Sequence, residues 1–278
     1  MKQRKIQDHW QTTYEMQQLP GVQKGMILPP EKMQVHDPFL LMAEDWFKRG
    51  AFSDHPHRGF QTITYVIDGR LEHTDNSGGH SVLDAGDMQY MNAGKGARHA
   101  EEAVDDDLIH TLQLWLNLPK EDKMTESYYQ NVRVEDAPVK EIEGGTLRVY
   151  SGEIDGIKGS AESVYPFRMA EVQLEEGAEY DIPFPGEETV FSFVLAGEVL
   201  LGEEEVKQSR AGTAVYEKEP GASAVRIKAA SRARILFYSG KPIQEPIAAG
   251  GPFVMNTEDE VRQAMKDYHA GRFGPSSQ

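Results

Sequence analysis

The feature of this sequence that most limits its possible folds is an internal repeat of a strand, glycine turn, strand pattern. Residues 64–71, TYVIDGRL, can be laid over residues 192–199, SFVLAGEV, at an offset of 128 positions. Residues 84–90, DAGDMQY, then lie over residues 210–216, RAGTAVY, at nearly the same offset of 126. A match that keeps its spacing indicates two copies of one structural unit. The sequence therefore predicts two similar domains.

Short strands account for most of the remaining pattern. Runs rich in β-branched and aromatic residues are separated at short intervals by clusters of Gly, Pro, Asn and Asp; they cover residues 60–67, 109–116, 148–151, 189–195 and 234–238. Many short strands with such punctuation are typical of a β-sandwich or barrel. We therefore expect an all-β protein built from two jelly-roll-like domains.

Helical signals are few. Thr257 and Glu260 have the spacing of a capping box, and Val261, Ala264 and Met265 begin an apolar face with helical periodicity. This pattern predicts a short helix near the C-terminus. A weaker helical pattern covers residues 8–18.

Charge and cysteine content exclude several functional classes. The 278 residues carry a formal net charge of −16 without a basic block, which disfavours direct binding to nucleic acid. The chain has no cysteine, so disulfides, thiolate metal sites and cysteine nucleophiles are excluded. The first ten residues have no apolar signal core, and no apolar run is long enough to span a bilayer. We expect a cytoplasmic protein that does not bind membranes.

Histidines are distributed unevenly along the chain. Six of the nine lie between His55 and His110. His55 and His57 are two residues apart, as are His99 and Glu101, and residues i and i+2 of a strand point to the same side. If the two strands pair or face each other, three imidazoles and one carboxylate converge on one metal ion. Lone surface histidines would not produce this pattern.

The repeat supplies an internal comparison for this site. Shifted by 128 positions, His55 and His57 fall on Pro183 and Pro185. Shifted by 126 positions, His99 and Glu101 fall on Val225 and Ile227. The second copy therefore keeps the scaffold without the ligands.

These motifs resemble the cupin superfamily and, more closely, the pirin family and its bacterial members. The first cupin motif is HPHRGFQ at residues 55–61, and the second runs from GDMQYM at 86–91 to GKGARHAE at 94–101. Pirin-like segments continue at QLWLNLP, residues 113–119, and GPFVMNT, residues 251–257. The resemblance implies a bicupin. It implies that His55, His57, His99 and Glu101 bind one divalent ion, most often Fe(II), although such donors also suit Ni, Mn, Cu or Zn.

Members of this family can show quercetin 2,3-dioxygenase activity, so the resemblance implies a flavonol and dioxygen as substrates, with Glu101 as the candidate catalytic base. The alternative is a regulatory binding protein whose metal oxidation state controls a protein partner, such as a transcription factor or a metabolic enzyme. Another cupin enzyme, such as a sugar isomerase, is a third interpretation. Gln61 departs from the glutamate that many relatives carry, and we expect it to alter the surroundings of the metal.

The sequence also predicts domain boundaries. Residues 1–36 form an unassigned extension, and residues 37–134 form the metal-binding cupin domain. Residues 135–159 join it to a ligand-free cupin domain at residues 160–245, and residues 246–278 form a C-terminal segment with the helix. Monomer and weak dimer both stay open. We expect His73, His80 and His110 to have hydrogen-bonded structural roles and Trp115 to belong to the core.

Overall fold

The computed structural model describes residues 1–17 and 22–277, which form β-strands and one α-helix. The strands up to residue 134 are β1 (Lys2–Gln3), β2 (Ile6–Gln11), β3 (Tyr14–Met16), β4 (Gln23–Leu28), β5 (Phe39–Phe47), β6 (Phe52–His57), β7 (Phe60–Asp68), β8 (Leu71–Asp75), β9 (His80–Leu83), β10 (Met88–Asn92), β11 (Ala97–Ala103), β12 (Ile109–Asn117) and β13 (Tyr128–Val132). The later strands are β14 (Val139–Ile142), β15 (Gly145–Ser151), β16 (Glu153–Ile154), β17 (Ile157–Lys158), β18 (Arg168–Leu174), β19 (Glu179–Pro185), β20 (Thr189–Ala196), β21 (Glu198–Leu201), β22 (Val206–Ser209), β23 (Gly212–Tyr216), β24 (Ala222–Ala229), β25 (Ala233–Gly240), β26 (Ala248–Gly250) and β27 (Phe253–Met255).

The α-helix, α1, spans Glu258–His269, and the predicted capping box is present at its N-terminus. The Thr257 side chain accepts from the Glu260 backbone N–H, while the Glu260 carboxylate accepts from the Thr257 N–H. The predicted C-terminal helix is therefore confirmed. A short 3-10 helix covers Pro30–Lys32. Within the described ranges, no helix combines the length and apolar character that crossing a bilayer requires.

The chain divides into two compact units. The first unit comprises Met1–Thr13, Glu135–Glu162 and Pro166–Pro242. The second unit comprises Tyr14–Val134, Ser163–Tyr165 and the chain from Ile243 onward.

The first unit is a sandwich of two sheets. Its seven-stranded sheet has the order β14-β15-β18-β25-β20-β23-β2, and its five-stranded sheet has the order β1-β24-β21-β22 with β19 also paired to β24. Val194 and Phe237 from the first sheet pack with Ile182, Val225 and Ile227 from the second in one buried cluster. Because strand side chains alternate between faces, this apolar face forms the core of the unit.

The second unit repeats this architecture. Its seven-stranded sheet has the order β13-β10-β7-β12-β5-β4-β3, and its four-stranded sheet has the order β6-β11-β8-β9. Val66 and Ile109 of the larger sheet pack with Leu71, Leu83 and Ala103 of the smaller one. The repeated segments form antiparallel pairs in both units, β7 with β10 and β20 with β23. The predicted fold of two similar β-domains with a short C-terminal helix is confirmed.

The structure differs from the sequence prediction near the N-terminus. Residues 8–17 do not form a helix, because β2 pairs with β23 and β3 pairs with β4; residue 18 of that prediction lies outside the described residues. The unassigned extension at residues 1–36 thus contributes strands to both units. β1 and β2 pair with β24 and β23, which are distant in sequence and which a local pattern does not reveal, whereas β3 pairs with the nearby β4.

The segment predicted to join the domains, residues 135–159, also has regular structure. It contains β14 to β17 and lies in the first unit, where β14 and β15 extend the seven-stranded sheet beyond β18. β14 is the edge strand of this sheet, where charged residues are tolerated because one side of the strand faces solvent.

Candidate metal centre

The two histidine-bearing segments are neighbouring antiparallel strands of the four-stranded sheet. In the pairing of β6 with β11, His99 lies opposite His55, and Ala97 lies opposite His57. The register shifts between His99 and Glu101, so that Glu101 is opposite Phe52. A bulge of this kind redirects side chains locally. The pairing brings the two predicted histidine segments together on one face.

Three imidazoles meet at this pairing. The ring centroids are 4.8 Å apart for His55 and His57, 4.4 Å for His55 and His99, and 5.1 Å for His57 and His99. One ring nitrogen from each histidine can be chosen so that all three lie within 4.8 Å of one another. Two nitrogens that each lie about 2.1 Å from one ion are at most about 4.2 Å apart, so the spacing of the three rings is close to that of a metal site.

The chemical state of these rings suits a metal ion. Neither ring nitrogen of the buried His57 and His99 has a hydrogen-bond partner of normal geometry. Burial, reinforced by the neighbouring His55, holds the pKa of both imidazoles well below the ordinary histidine value, so the rings are neutral. His55 Nδ1 lies 2.8 Å from the Ser53 carbonyl oxygen and donates a hydrogen bond to it. The other ring nitrogen, Nε2, is then the one that can bind a metal ion. Buried nitrogens without partners are costly unless a ligand satisfies them.

Glu101 lies beside this cluster and is held from two sides. Its Oε2 is 3.9 Å from His99 Nε2. Thr64 Oγ1 donates to Glu101 Oε1 over 3.0 Å, and Gln113 Nε2 donates to Oε2 over 2.7 Å. Trp115 Nε1 in turn donates to Gln113 Oε1 over 3.1 Å. The structure thus brings the three histidines within reach of one ion and places Glu101, in a defined orientation, beside His99. Ligation by Glu101 stays a prediction.

The cluster borders a cavity of about 380 Å³ inside the second unit. His55, His57 and Glu101 line one part of it. The apolar wall is formed largely by aromatic and aliphatic side chains, namely Leu41, Phe47, Phe52, Leu71, Trp115 and Pro252. This volume and this mixture of apolar wall and few polar groups are typical of small-molecule sites. Trp115, which we expected in the core, packs on Phe60 with 4.3 Å between ring centroids while also facing the cavity.

A second carboxylate lines the same cavity. Asp45 lies on β5, and its register partner Lys24 on β4 lines the cavity too. Burial raises the pKa of the Asp45 carboxyl to about 6, and the Lys24 ammonium only partly opposes this effect. Sequence reasoning did not select either residue.

Gln61 lies on the opposite face of β7 from Thr64. Its Oε1 accepts from the Tyr90 hydroxyl over 2.5 Å and from the Tyr165 N–H over 3.1 Å. Its Nε2 donates to the Asn117 carbonyl over 3.3 Å. Gln61 therefore faces away from the cavity, because odd and even residues of a strand face opposite ways, and its influence on the metal surroundings stays a prediction.

The remaining histidines have mostly structural surroundings. His110 Nε2 lies 2.6 Å from Glu44 Oε1, and its ring stacks on Trp46. His80 Nε2 lies 3.0 Å from Glu72 Oε1 near the surface. His73 is buried beside the cluster, 5.3 Å from His99 between ring centroids, and its Nε2 is 3.6 Å from Asp75 Oδ2. Neither His73 ring nitrogen has a hydrogen-bond partner of normal geometry, so the hydrogen-bonded role expected for His73 is not found. The His73 imidazole is the main influence that lowers the pKa of the Asp75 carboxyl to about 2.

Arg58, which follows His57 in the chain, is buried and points away from the cavity. It donates from Nη1 to Asp267 Oδ2 over 2.7 Å and from Nε to the Lys95 carbonyl over 2.6 Å. Its guanidinium also stacks 4.4 Å from the Phe273 ring centroid. Arg58 therefore ties the ligand-bearing strand to the C-terminal helix.

One pattern in the sequence could have indicated the cavity residues that we missed. On β12, Thr111, Gln113 and Trp115 alternate with residues of the opposite face. On β5, Asp45 lies on the same face as Leu41. Polar residues recurring on one face of a buried strand signal a polar cavity rather than a core.

Comparisons with known proteins agree along most of the chain. The family model described as Pirin matches residues 22–116, and the one described as the Pirin C-terminal cupin domain matches residues 169–274. Pirin of Mus musculus is 37% identical over 242 residues, covering 86% of this chain and 83% of that protein. A Pirin-like protein of Caulobacter vibrioides is 35% identical over 267 residues, covering 91% and 93%. The solved structure of a quercetin 2,3-dioxygenase from Acinetobacter baumannii is similar to this chain with a TM-score of 0.88 and 30% sequence identity. The match covers 99% of this chain and 100% of that one.

Proposed function

The chain belongs to the pirin family, and we propose that it is a metal-dependent dioxygenase that opens the ring of a flavonol such as quercetin. The observation that carries this proposal is the convergence of three imidazoles, with Glu101 beside them, at an aromatic-lined cavity. The similarity to a protein described as a quercetin 2,3-dioxygenase supports the choice of substrate.

His55, His57, His99 and Glu101 would hold one divalent ion, with Fe(II) as our first choice and Ni, Mn, Cu or Zn as alternatives. Three neutral ligands and one carboxylate leave a divalent centre with a net charge of +1, which favours an anionic ligand. When bound, the ion supplies Lewis-acid stabilisation of a deprotonated substrate oxygen. The unpartnered buried nitrogens of His57 and His99 are consistent with this assignment.

Glu101 would accept the proton of the flavonol 3-hydroxyl. Its two oxygens are held by Thr64 and Gln113, so the carboxylate keeps one orientation while the substrate enters. The apolar wall around Phe47, Phe52 and Trp115 excludes water from the flat aromatic rings. Dioxygen is then consumed, the ring opens, and one ring carbon leaves as carbon monoxide.

The test is to load the protein with Fe(II) and to follow quercetin absorbance and released carbon monoxide with and without dioxygen. We expect loss of quercetin and release of carbon monoxide only in air. His57→Ala should abolish both, whereas His80→Ala, which removes an imidazole outside the cluster, should retain them. Equal quercetin loss by wild type and His57→Ala would contradict the proposal, and a regulatory binding protein would leave quercetin unchanged.

A further inference from the structure

Asp45 occupies an unusual position for a carboxylate. Its side chain is only 5% exposed, and its Oδ1 has no hydrogen-bond partner. Burying a carboxylate oxygen without a partner costs free energy, because the group gives up its water without replacement. A group that lowers stability in this way is more easily explained by a ligand than by the fold.

The geometry of β5 directs this carboxylate into the cavity. Leu41, Ala43, Asp45 and Phe47 all line the cavity, as expected for alternate residues of one strand. Asp45 lies beside Thr111 of β12 in the register, whereas Gln113, which holds Glu101, lies beside Ala43. Along β5, Asp45 is therefore the next cavity-facing residue after Ala43, which lies opposite Gln113.

The cavity wall thus carries two carboxylates, Glu101 beside the imidazoles and Asp45 beside its register partner Lys24. Its other polar side chains are Thr64, Thr111 and Gln113. We propose that Asp45 accepts a hydrogen bond from a second hydroxyl group of the bound ligand, distinct from the hydroxyl delivered to Glu101. This inference rests on the proposed function and narrows its substrate class to polyhydroxylated aromatic compounds. Asp45 acts here as a specificity-determining residue.

The physical reason is the asymmetry of buried hydrogen bonds. A ligand with a hydroxyl at this position satisfies Oδ1, while a ligand without one excludes water and leaves the acceptor unpaired. Sites built around a buried polar partner reject analogues that lack the matching group far more strongly than apolar pockets reject a missing methylene. We expect at least about a 10-fold preference for the hydroxylated ligand.

The experiment compares two ligands in binding, without turnover. Quercetin carries hydroxyls on several rings, whereas 3-hydroxyflavone has only the 3-hydroxyl and the neighbouring carbonyl. Dissociation constants are measured anaerobically by calorimetry on the metal-loaded protein. The variants are Asp45→Asn and Asp45→Leu, and Asp181→Asn is a matched acid-to-amide control in the first unit, outside the cavity. Circular dichroism checks that each variant is folded. Two Asp45 variants are used so that the test can still be made if one of them does not fold.

Wild type and Asp181→Asn should prefer quercetin by about 10-fold or more, and the folded Asp45 variants should lose that preference through weaker quercetin binding. Equal affinities in wild type, or a preference retained in both Asp45 variants, would overturn the inference even if quercetin is turned over. If neither flavonol binds to metal-loaded wild type, the proposed function itself fails, and the role of Asp45 fails with it.

Discussion

At the scale of single residues, the proposed centre would rely on the groups that hold Glu101 as well as on the imidazoles. Gln113 is the link, since it donates to Glu101 and accepts from Trp115. Thr64 completes the arrangement through the other carboxylate oxygen. Hydrogen bonds to a ligating carboxylate restrict its rotation, so binding of the metal requires less ordering.

We expect Gln113→Leu to weaken metal binding by about 10-fold or more, because Glu101 Oε2 loses its donor and rotates more freely. Competition with a chromophoric chelator measures the affinity. Gln173→Leu is a suitable control, since Gln173 donates to the Glu171 carboxylate in the first unit. Unchanged affinity in Gln113→Leu would show that the amide does not orient Glu101.

Asp45 should make stability depend on pH. A carboxyl whose pKa rises from 3.8 to about 6 on folding stabilises the protein in its protonated form, and this contribution is lost as the pH rises through about 6. In metal-free protein, Asp45→Asn should therefore be more stable than wild type above pH 6, by about 3 kcal/mol, and should lose this advantage near pH 4.

Urea denaturation at pH 4.5 and at pH 7.5 tests this expectation. Asp181→Asn provides the opposite case, because Arg226 lowers the pKa of the Asp181 carboxyl and the ionised form is the stabilising one. That variant should lose stability at pH 7.5 and less at low pH. An advantage of Asp45→Asn that does not vary with pH would contradict the pKa shift as its cause.

At the scale of elements, the turn after β6 is held by close backbone contacts. Gly59 has a φ of +85°, and a Cβ there would lie 2.0 Å from the Val254 carbonyl oxygen. The buried Lys123 ammonium donates to the carbonyl oxygens of Gly59 and Val254 and to Asn117 Oδ1, over 2.8, 3.1 and 2.7 Å. One lysine thus joins the turn beside His57, the end of β12 and strand β27.

Lys123→Met should destabilise the protein by about 3 kcal/mol, because three buried acceptors lose their donor together. Chemical denaturation monitored by fluorescence measures the effect. Lys120→Met replaces an exposed lysine of the same connecting segment and should change stability by less than about 0.5 kcal/mol. Similar effects for both variants would indicate that the three hydrogen bonds contribute little.

At the scale of the whole molecule, one architecture occurs twice, with different side chains between its two sheets. Val225 and Ile227, which the repeat places at the positions of His99 and Glu101, are fully buried in the core of the first unit. Strand β24, which carries them, pairs with β19 as β11 pairs with β6. The same strand pairing thus supports an apolar core in one unit and a polar centre in the other.

Metal binding should therefore stabilise the two units unequally. A ligand at 100 times its dissociation constant adds about 2.7 kcal/mol to the state that binds it. Hydrogen exchange followed by mass spectrometry should show slower exchange in β6 and β11 when metal is present, and little change in β19 and β24. The His57→Ala variant should show no slowing. Equal slowing in all four strands would contradict a site confined to the second unit.

The sequence alone determined the features that depend on local spacing. The paired His-x-His and His-x-Glu motifs, the capping box of α1 and the repeated glycine turns each follow from positions a few residues apart. The family resemblance and the two-domain fold follow from the same patterns.

Only the tertiary structure decided the features that depend on distant partners. Strands near the N-terminus and at residues 139–158 exist because of pairing across the chain, so a helical pattern or a glycine-rich stretch predicted them poorly. Alternation shows that Asp45 and Gln61 each share a face with the residues two positions away in their strands. It does not show which of the two faces encloses the cavity. That choice depends on which sheet covers the strand, and it placed Asp45 inside and Gln61 outside.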